Sequence, residues 1–486
     1  MMVLKQRIAA LALGISLGMT YAHGGQISTD DSLQHWVEGK LPQNTNVSFI
    51  LQKTNDSAPL VSINPAHRML PASVLKLMTA AAATSLLGPE YRYTTRLLTD
   101  DKVIDGTLSG NLYLEFSGDP SLSSANLASL MSKLEAKGIK QIQGDLVLVG
   151  NLNQKTKATG WVWDDLGICY AAPVSSFIID KNCVKGVMQP VSGSNKARVS
   201  LRQDAPFSLV ADTFYDEDQP QEFCSLSLNS KGSNQVSIEG CFPKRKAINL
   251  AFAVADSRQF AADWATRILN RQQIPVLGTL RFASSLPSTS MTLATLESPA
   301  LSELTGELLL ESDNLITDSL LLAMGRKVYG QNADFPQGVA ALKQTLLTMG
   351  VDLQGSRLVD GSGLSRYNLV SAAQLHKLLN HIYQTPSLKP LLDTLPIAGA
   401  TGTLQYKFPY NQTPLKLKVL GKTGSMGGVD NLVGIIKLEG QEYLFVALEN
   451  GLVSTPQTPN PVPWHGRLLK ELLPLLEQTS SQTAKQ

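Results

Sequence analysis

A serine and a lysine three residues apart, Ser73 and Lys76, open the stretch Leu70-Pro71-Ala72-Ser73-Val74-Leu75-Lys76-Leu77-Met78-Thr79-Ala80. On a helix, positions three apart share a face, so the lysine amine lies within reach of the hydroxyl. That is the arrangement of a nucleophile beside its base. An ordinary buried helix whose lysine reaches out to solvent carries the same two letters, so the pair alone does not decide. The helix that must hold it is legible. Pro71 suits a first turn, where its missing N–H costs nothing, and Leu75, Met78, Ala82, Leu86 and Leu87 form an apolar run that stops before Gly88-Pro89.

Two later stretches add to it: Glu311-Ser312-Asp313-Asn314-Leu315-Ile316-Thr317-Asp318, and Leu420-Gly421-Lys422-Thr423-Gly424-Ser425. In chain order the three match S-x-x-K, S-x-N and K-T-G, the trio of penicillin-binding proteins and serine β-lactamases. S-x-N also begins at Ser62, Ser124 and Ser227, so it informs only in company, whereas Lys422-Thr423-Gly424 occurs once. Gly421-Lys422-Thr423 could end a phosphate-binding G-x-x-x-x-G-K-[ST] loop, but Lys416 stands where the first glycine is required.

The rest of the chain bounds the setting. Met1 to Ala22 has a basic end (Lys5, Arg7), an apolar core from Ile8 to Met19 and small residues before a cleavage point after Ala22, which reads as a secretory signal. The apolar core is only about a dozen residues where a membrane span needs about 20. Cys169, Cys183, Cys224 and Cys241 are an even set with no C-x-x-C pair, favouring disulfides over a zinc site. Of three connectivities, Cys169–Cys183 and Cys224–Cys241 close the shortest loops, the second stapling a hairpin that turns at Asn229-Ser230-Lys231-Gly232. With 486 residues and a net charge of +2, the chain has room for two or three domains and no charge bias toward nucleic acid. The six histidines lack metal spacing and no G-x-S-x-G elbow occurs, so neither a metal, a cofactor nor a Ser-His-Asp hydrolase is expected.

The elements that must position the motifs follow from periodicity. Strands are expected at Val47–Gln52, Leu60–Ile63, Tyr91–Leu98, Leu108–Phe116, Gly144–Val149, Phe177–Asp180, Leu415–Leu420, Asn431–Leu438 and Glu442–Glu449. Helices are expected over Ala125–Ala136, Gln259–Asn270, Leu308–Met324 and Gly466–Leu473, the last ending or kinking before Pro474. Nearly half the chain separates Ser73 from Ser312, so one or two domains are inserted between the motifs.

These features, with Gly118-Asp119-Pro120, Trp161 to Asp165, Asp360 to Arg366 and Gly399 to Leu404, resemble the D-alanyl-D-alanine carboxypeptidase/endopeptidases of the class C low-molecular-mass penicillin-binding proteins, the DacB type. The resemblance implies an α/β (α+β) fold: a transpeptidase/β-lactamase-like domain with a five-stranded antiparallel sheet between helices, built from 23–90 and 291–486. It implies an inserted β-rich domain (91–122 and 198–290) and a second nested α/β domain (123–197). It also implies hydrolysis of periplasmic peptidoglycan stem peptides through an acyl-enzyme on Ser73, acylation by β-lactams, and a homodimer.

Residue by residue, the resemblance makes Lys76 the base, its pKa to be lowered by burial and by Lys422 as a second ammonium. Ser312 becomes a proton relay to the leaving amine, and Asn314 a holder of Lys76 and of the substrate backbone. Thr423, Gly424 and Ser425 become the carboxylate-binding edge, the N–H groups of Ser73 and Ser425 an oxyanion hole, and Asp165 the contact for a diamino acid. Two other readings stay open: a β-lactamase or esterase on the same scaffold, for which no deacylating glutamate can be assigned by spacing, and a non-catalytic wall-binding protein.

Overall fold

Strands from opposite ends of the chain are zipped into one sheet. In the computed structural model, which describes residues 29–483 apart from 203, 216–223, 231, 243–246, 456–457 and 459–460, Asn46–Lys53 pairs with Gln441–Asn450 from Asn46↔Asn450 to Lys53↔Tyr443. The expected signal segment, residues 1–22, lies outside the described residues. The sheet has five strands in the order Val419–Met426, Val429–Leu438, Gln441–Asn450, Asn46–Lys53, Val61–Ile63, and every pairing is antiparallel. The expected five-stranded antiparallel sheet between helices is therefore present.

Both faces of this sheet are covered, and the period of two along each strand divides the apolar residues between them. Phe49, Leu51, Phe445 and Ala447 pack with Leu468, Leu469, Leu472 and Leu473 of the C-terminal helix Trp464–Thr483. Ile50, Leu444, Val446 and Leu448 face the other way, onto the helices Leu75–Leu87, Leu301–Glu311, Asn314–Tyr329, Phe335–Thr348 and Ala372–Gln384. In the helix after Ser73, Leu75 to Ala83 are all buried, so the segment is apolar around its whole circumference except where it carries Lys76 and Thr79. Burying an amine costs several kcal/mol unless it is partnered, and the partners prove to be the site.

Between the two halves of this domain sits a second sheet in the order Leu280–Ala283, Leu146–Val149, Leu112–Phe116, Thr94–Thr99, Met291–Glu297. It is covered by helices Ser124–Ala136 and Ser257–Arg271, with a core of its own. Two three-stranded sheets, Ala197–Leu201/Cys183–Pro190/Ile248–Ala253 and Ser208–Tyr215/Gln235–Phe242/Leu226–Ser230, form a smaller β-rich body. The helix Ser124–Ala136 and the strand Leu146–Val149 thus share a sheet and core with 94–116 and 280–297, where the sequence partition had put them in a separate 123–197 unit. Strand pairing across a long insertion has no local signature.

Both disulfides form with the expected partners, Cys169–Cys183 with Cα atoms 5.3 Å apart and Cys224–Cys241 with 4.8 Å. The second joins Cys224, just before the strand Leu226–Ser230, to Cys241 on the paired strand Gln235–Phe242.

Four elements depart from expectation. Phe177–Asp180 is not a strand: Phe177, Ile178 and Ile179 are buried, but Asp180, Lys181 and Asn182 turn the chain at positive φ into a 3-10 turn. Leu415–Lys418 lies in turns, with Leu417 at φ 66°, and the strand begins only at Val419. The C-terminal helix runs through Pro474 to Thr483, its Leu472, Leu473 and Leu476 buried on the sheet. The helix expected over Leu308–Met324 is two helices, broken at Ser312, and the break serves the site.

Candidate active site

Ser73 lies in the 3-10 turn Ala72–Val74, which runs directly into Leu75–Leu87. One turn on, the Lys76 amine is fully buried and donates to three acceptors: Ser73 Oγ at 2.8 Å, Asn314 Oδ1 at 2.5 Å and the Ser362 carbonyl at 2.7 Å. All three N–H bonds of an ammonium are thereby used, and loss of one proton frees a lone pair among the same three partners. Burial pulls the Lys76 pKa down to about 8 against the opposing charges of Asp318, Asp360 and Asp313. Of the two causes expected from the sequence, burial is the one that lowers it; the charge of Lys422 does not contribute. Lys422 takes the repulsion instead, held well below the ordinary lysine range by burial and then by the charges of Lys76 and Lys407.

Ser312 ends the helix Leu301–Glu311 in the left-handed conformation, φ 62°, and Asp313 caps the next helix by accepting from the Ile316 N–H at 2.9 Å. A left-handed serine between two helices turns its side chain out of the helical stack, and its Oγ accepts from Lys422 Nζ at 2.9 Å. An apolar period that stays in phase across the break hid this from sequence reading.

Lys422, Thr423, Gly424 and Ser425 lie on Val419–Met426, the edge strand of the sheet. The Lys422 amine also donates to the Thr423 carbonyl at 3.0 Å, and the Thr423 and Thr403 hydroxyls are 2.7 Å apart. Gly424 is required by the nucleophile turn: a Cβ there would come within 2.7 Å of the Pro71 carbonyl and 2.9 Å of the Val74 nitrogen. Ser425, at the exposed end of the strand, shares hydrogen bonds with Lys407 and Asp430. The outer edge of this strand is bonded to Pro396 and Ala398 as far as Gly421, and beyond it the edge at 422–425 is where an extended peptide can add its backbone to the sheet.

Asp165 makes no direct contact with the three motifs. It sits in the turn Trp163–Asp165 and accepts from the Tyr170 hydroxyl at 2.5 Å, while the Tyr170 carbonyl accepts from Asn314 Nδ2 at 2.8 Å. The disulfide at Cys169 therefore fixes the neighbour of the residue that holds Asn314. Trp161 is buried and donates to Asp360 Oδ2 at 2.9 Å, whereas Trp163 is 84% exposed.

Several residues here had drawn no role from the sequence. Asp318 Oδ1 accepts from the Gly361 and Ser362 N–H groups at 2.7 and 3.0 Å, which aims the Ser362 carbonyl at Lys76, while its Oδ2 is buried with no hydrogen-bond partner. Burial and then the Asp360 charge push the Asp318 carboxyl up to about 7. Asp360 itself gathers the N–H groups of Gly363 and Ser365, the Asn368 amide and the Trp161 indole. Asn431 donates to the Leu70 and Pro71 carbonyls at 2.9 and 2.8 Å, tethering the nucleophile turn to the sheet. The Asp-Gly-Ser-Gly turn at 360–363 was the signal for the first two, since a carboxylate before two glycines commonly organises a loop.

With this geometry in view, the family model described as D-Ala-D-Ala carboxypeptidase 3 (S13) matches residues 31–462. The D-alanyl-D-alanine carboxypeptidase DacB of Haemophilus influenzae is 32% identical over 416 residues, 85% of this chain and 87% of that protein. A D-alanyl-D-alanine carboxypeptidase of Actinomadura sp. is 25% identical over 456 residues, 90% of this chain and 84% of its own. Among solved structures, penicillin binding protein 4 (dacB) of Haemophilus influenzae superposes with a TM-score of 0.84 at 31% identity, covering 91% of this chain and 99% of that one. The same protein complexed with a novel β-lactam gives 0.80 at 30% identity, with the same two coverages.

Proposed function

The chain belongs to the D-Ala-D-Ala carboxypeptidase 3 (S13) family and is a serine-type D-alanyl-D-alanine carboxypeptidase, and from that premise we propose that its chemistry runs through an acyl-enzyme on Ser73. The observation that carries the proposal is the fully buried Lys76 amine 2.8 Å from Ser73 Oγ. Neutral Lys76 accepts the hydroxyl proton as Ser73 attacks the carbonyl of the penultimate D-alanine. The developing oxyanion is met by the N–H groups of Ser73 and Ser425, each such donor worth about 3 kcal/mol. The proton passes through Ser312, held by Lys422, to the leaving amine, and water then releases the acyl group from Ser73.

Thr423 and Ser425 bind the carboxylate beyond the scissile bond, Asn314 aligns the substrate backbone, and Asp165 with Tyr170 faces the diamino acid side chain. Endopeptidase cleavage of cross-linked stem peptides uses the same acyl half and changes only the leaving amine. The proposal includes cleavage of the signal after Ala22, action on peptidoglycan in the periplasm and a homodimer; the two disulfides support an oxidising compartment.

The test is the intact mass of the mature protein mixed with a penicillin, with peptide mapping. A persistent adduct on Ser73, absent from Ser73→Ala, is expected. Drug destroyed without an adduct would transfer the protein to the β-lactamase reading, and intact drug without an adduct would leave the wall-binding reading.

The state of Lys76 gives a pH dependence. Only the neutral amine is a base, so single-turnover acylation rises with pH, reaching half its plateau at about pH 8. Below that midpoint the rate falls about tenfold per pH unit. A flat profile between pH 6 and 9 would remove Lys76 as the titrating base.

A further inference from the structure

Lys407 lies outside the three motifs, yet its amine stands at the end of the Lys422 strand. It donates to both oxygens of Asp430, at 2.7 and 2.9 Å, and lies 3.4 Å from Ser425 Oγ. An ammonium has three N–H bonds. Two are spent on one carboxylate, and the third points at the hydroxyl assigned to substrate.

Asp430 is a fixed anchor. It lies on the strand Val429–Leu438 opposite Ser425, and although burial pushes its carboxyl up, His465, 3.1 Å from its Oδ1, and Lys407 outweigh that and hold it at about 2. His465 is in turn hydrogen-bonded to the Tyr410 hydroxyl at 2.5 Å. The Lys407 amine is therefore held on the sheet although the residue belongs to the irregular segment after Leu404. Its side chain keeps 20% of its surface exposed, enough for a ligand to reach.

Lys422 is poorly suited to supply the full charge a carboxylate calls for, since burial and two neighbouring ammonium groups disfavour its protonated form. Another cation near this end is Arg366, whose guanidinium donates to the Gly427 carbonyl at 3.1 Å, on the turn beyond the strand. Ser425 Oγ donates to Asp430 Oδ2 at 3.3 Å and accepts from Lys407 at 3.4 Å, two long bonds that an arriving anion can replace by taking the serine hydroxyl and the third Lys407 N–H together.

We propose that Lys407 is a specificity residue: with Ser425 and Thr423 it binds the α-carboxylate of the leaving D-amino acid, so that the enzyme favours leaving groups carrying that carboxylate over those lacking it. This rests on the assignment of the Ser425 edge to substrate made above. Charge-assisted hydrogen bonds to carboxylate are the strong ones, and a site built around such a bond rejects a substrate that lacks its partner.

The test uses two peptides with the same acyl part, one ending in D-Ala-D-Ala with a free carboxylate, the other in the C-terminal carboxamide. Wild type favours the carboxylate peptide. Lys407→Gln lowers kcat/KM for it by about 10- to 50-fold, leaves the carboxamide within about twofold, and Lys407→Arg restores most of the preference. An equal fall on both peptides would make Lys407 a clamp for the 405–418 segment and overturn the proposal. So would an unchanged preference, or one lost in Arg366→Gln and kept in Lys407→Gln. Failure of wild type to cleave either peptide would instead strike the parent reading.

Discussion

Lys76→Met abolishes acylation and leaves the fold standing. The methionine matches the lysine stem in length and is at home in a helix whose neighbours from Leu75 to Ala83 are all buried. What it removes is the base: acylation by a penicillin falls by at least about 10³-fold, within the range a positioned general base supplies. Stability changes little, because two effects oppose each other. Asn314 Oδ1 and the Ser362 carbonyl lose their donor, costing about 1–3 kcal/mol for each acceptor left dry, while the desolvation of a buried amine is relieved by a similar amount. Adduct formation followed by mass against time, with a thermal melt of the same sample, reads both. Acylation near the wild-type rate would remove Lys76 from the chemistry.

Gly363→Ala is the largest expected loss of stability. The residue has φ +82°, and a Cβ on it would stand 1.9 Å from the Ala72 carbonyl oxygen and 2.5 Å from the carbonyl carbon. Neither neighbour is the free end of a side chain. Ala72 is itself held at φ 47°, immediately before the nucleophile. The substitution therefore carries the left-handed cost of about 1 kcal/mol plus displacement of a backbone, together more than about 3 kcal/mol. Because the displaced residue precedes Ser73, acylation slows as well. Gly193→Ala, at φ +73° with nothing within 4 Å, isolates the conformational part, about 1 kcal/mol. Urea unfolding of the two variants compares them, and equal losses would mean that the contact with Ala72 yields freely.

Ser73 and Lys76 could be paired from sequence because both lie within one helical turn, where spacing is geometry. The strands 46–53, 429–438 and 441–450 could be read because their hydrophobic runs are long and bounded by turn residues. What could not be read depends on partners distant in the chain. Asp318 sits in an apolar helix like a misplaced charge until the 360–363 turn is brought onto it. Ser312 continues the helical period on both sides, and only the demand of Lys422 for an acceptor explains why the helix stops there. Lys407 carries no motif, and its relation to Ser425 exists only because Asp430 is paired beside that serine across two strands. Pro474 fails to end its helix because the leucines on either side are already committed to the sheet.

The joining of the two chain ends in one sheet also sets a clock. Ser73 and its helix are made early, but the edge strand that faces them ends at Met426 and the strand that seats the whole sheet on Asn46–Lys53 ends at Asn450. Contacts so far apart in sequence close late and slowly, after the inserted units with their more local pairings can already have formed. Until that last hairpin arrives, Ser73 has no edge strand facing it and Lys76 lacks a finished cavity to lower its pKa. A partly made chain thus carries Ser73 and Lys76 without the surroundings that would arm them, and the site is completed in one step, when synthesis of the catalytic domain is all but complete.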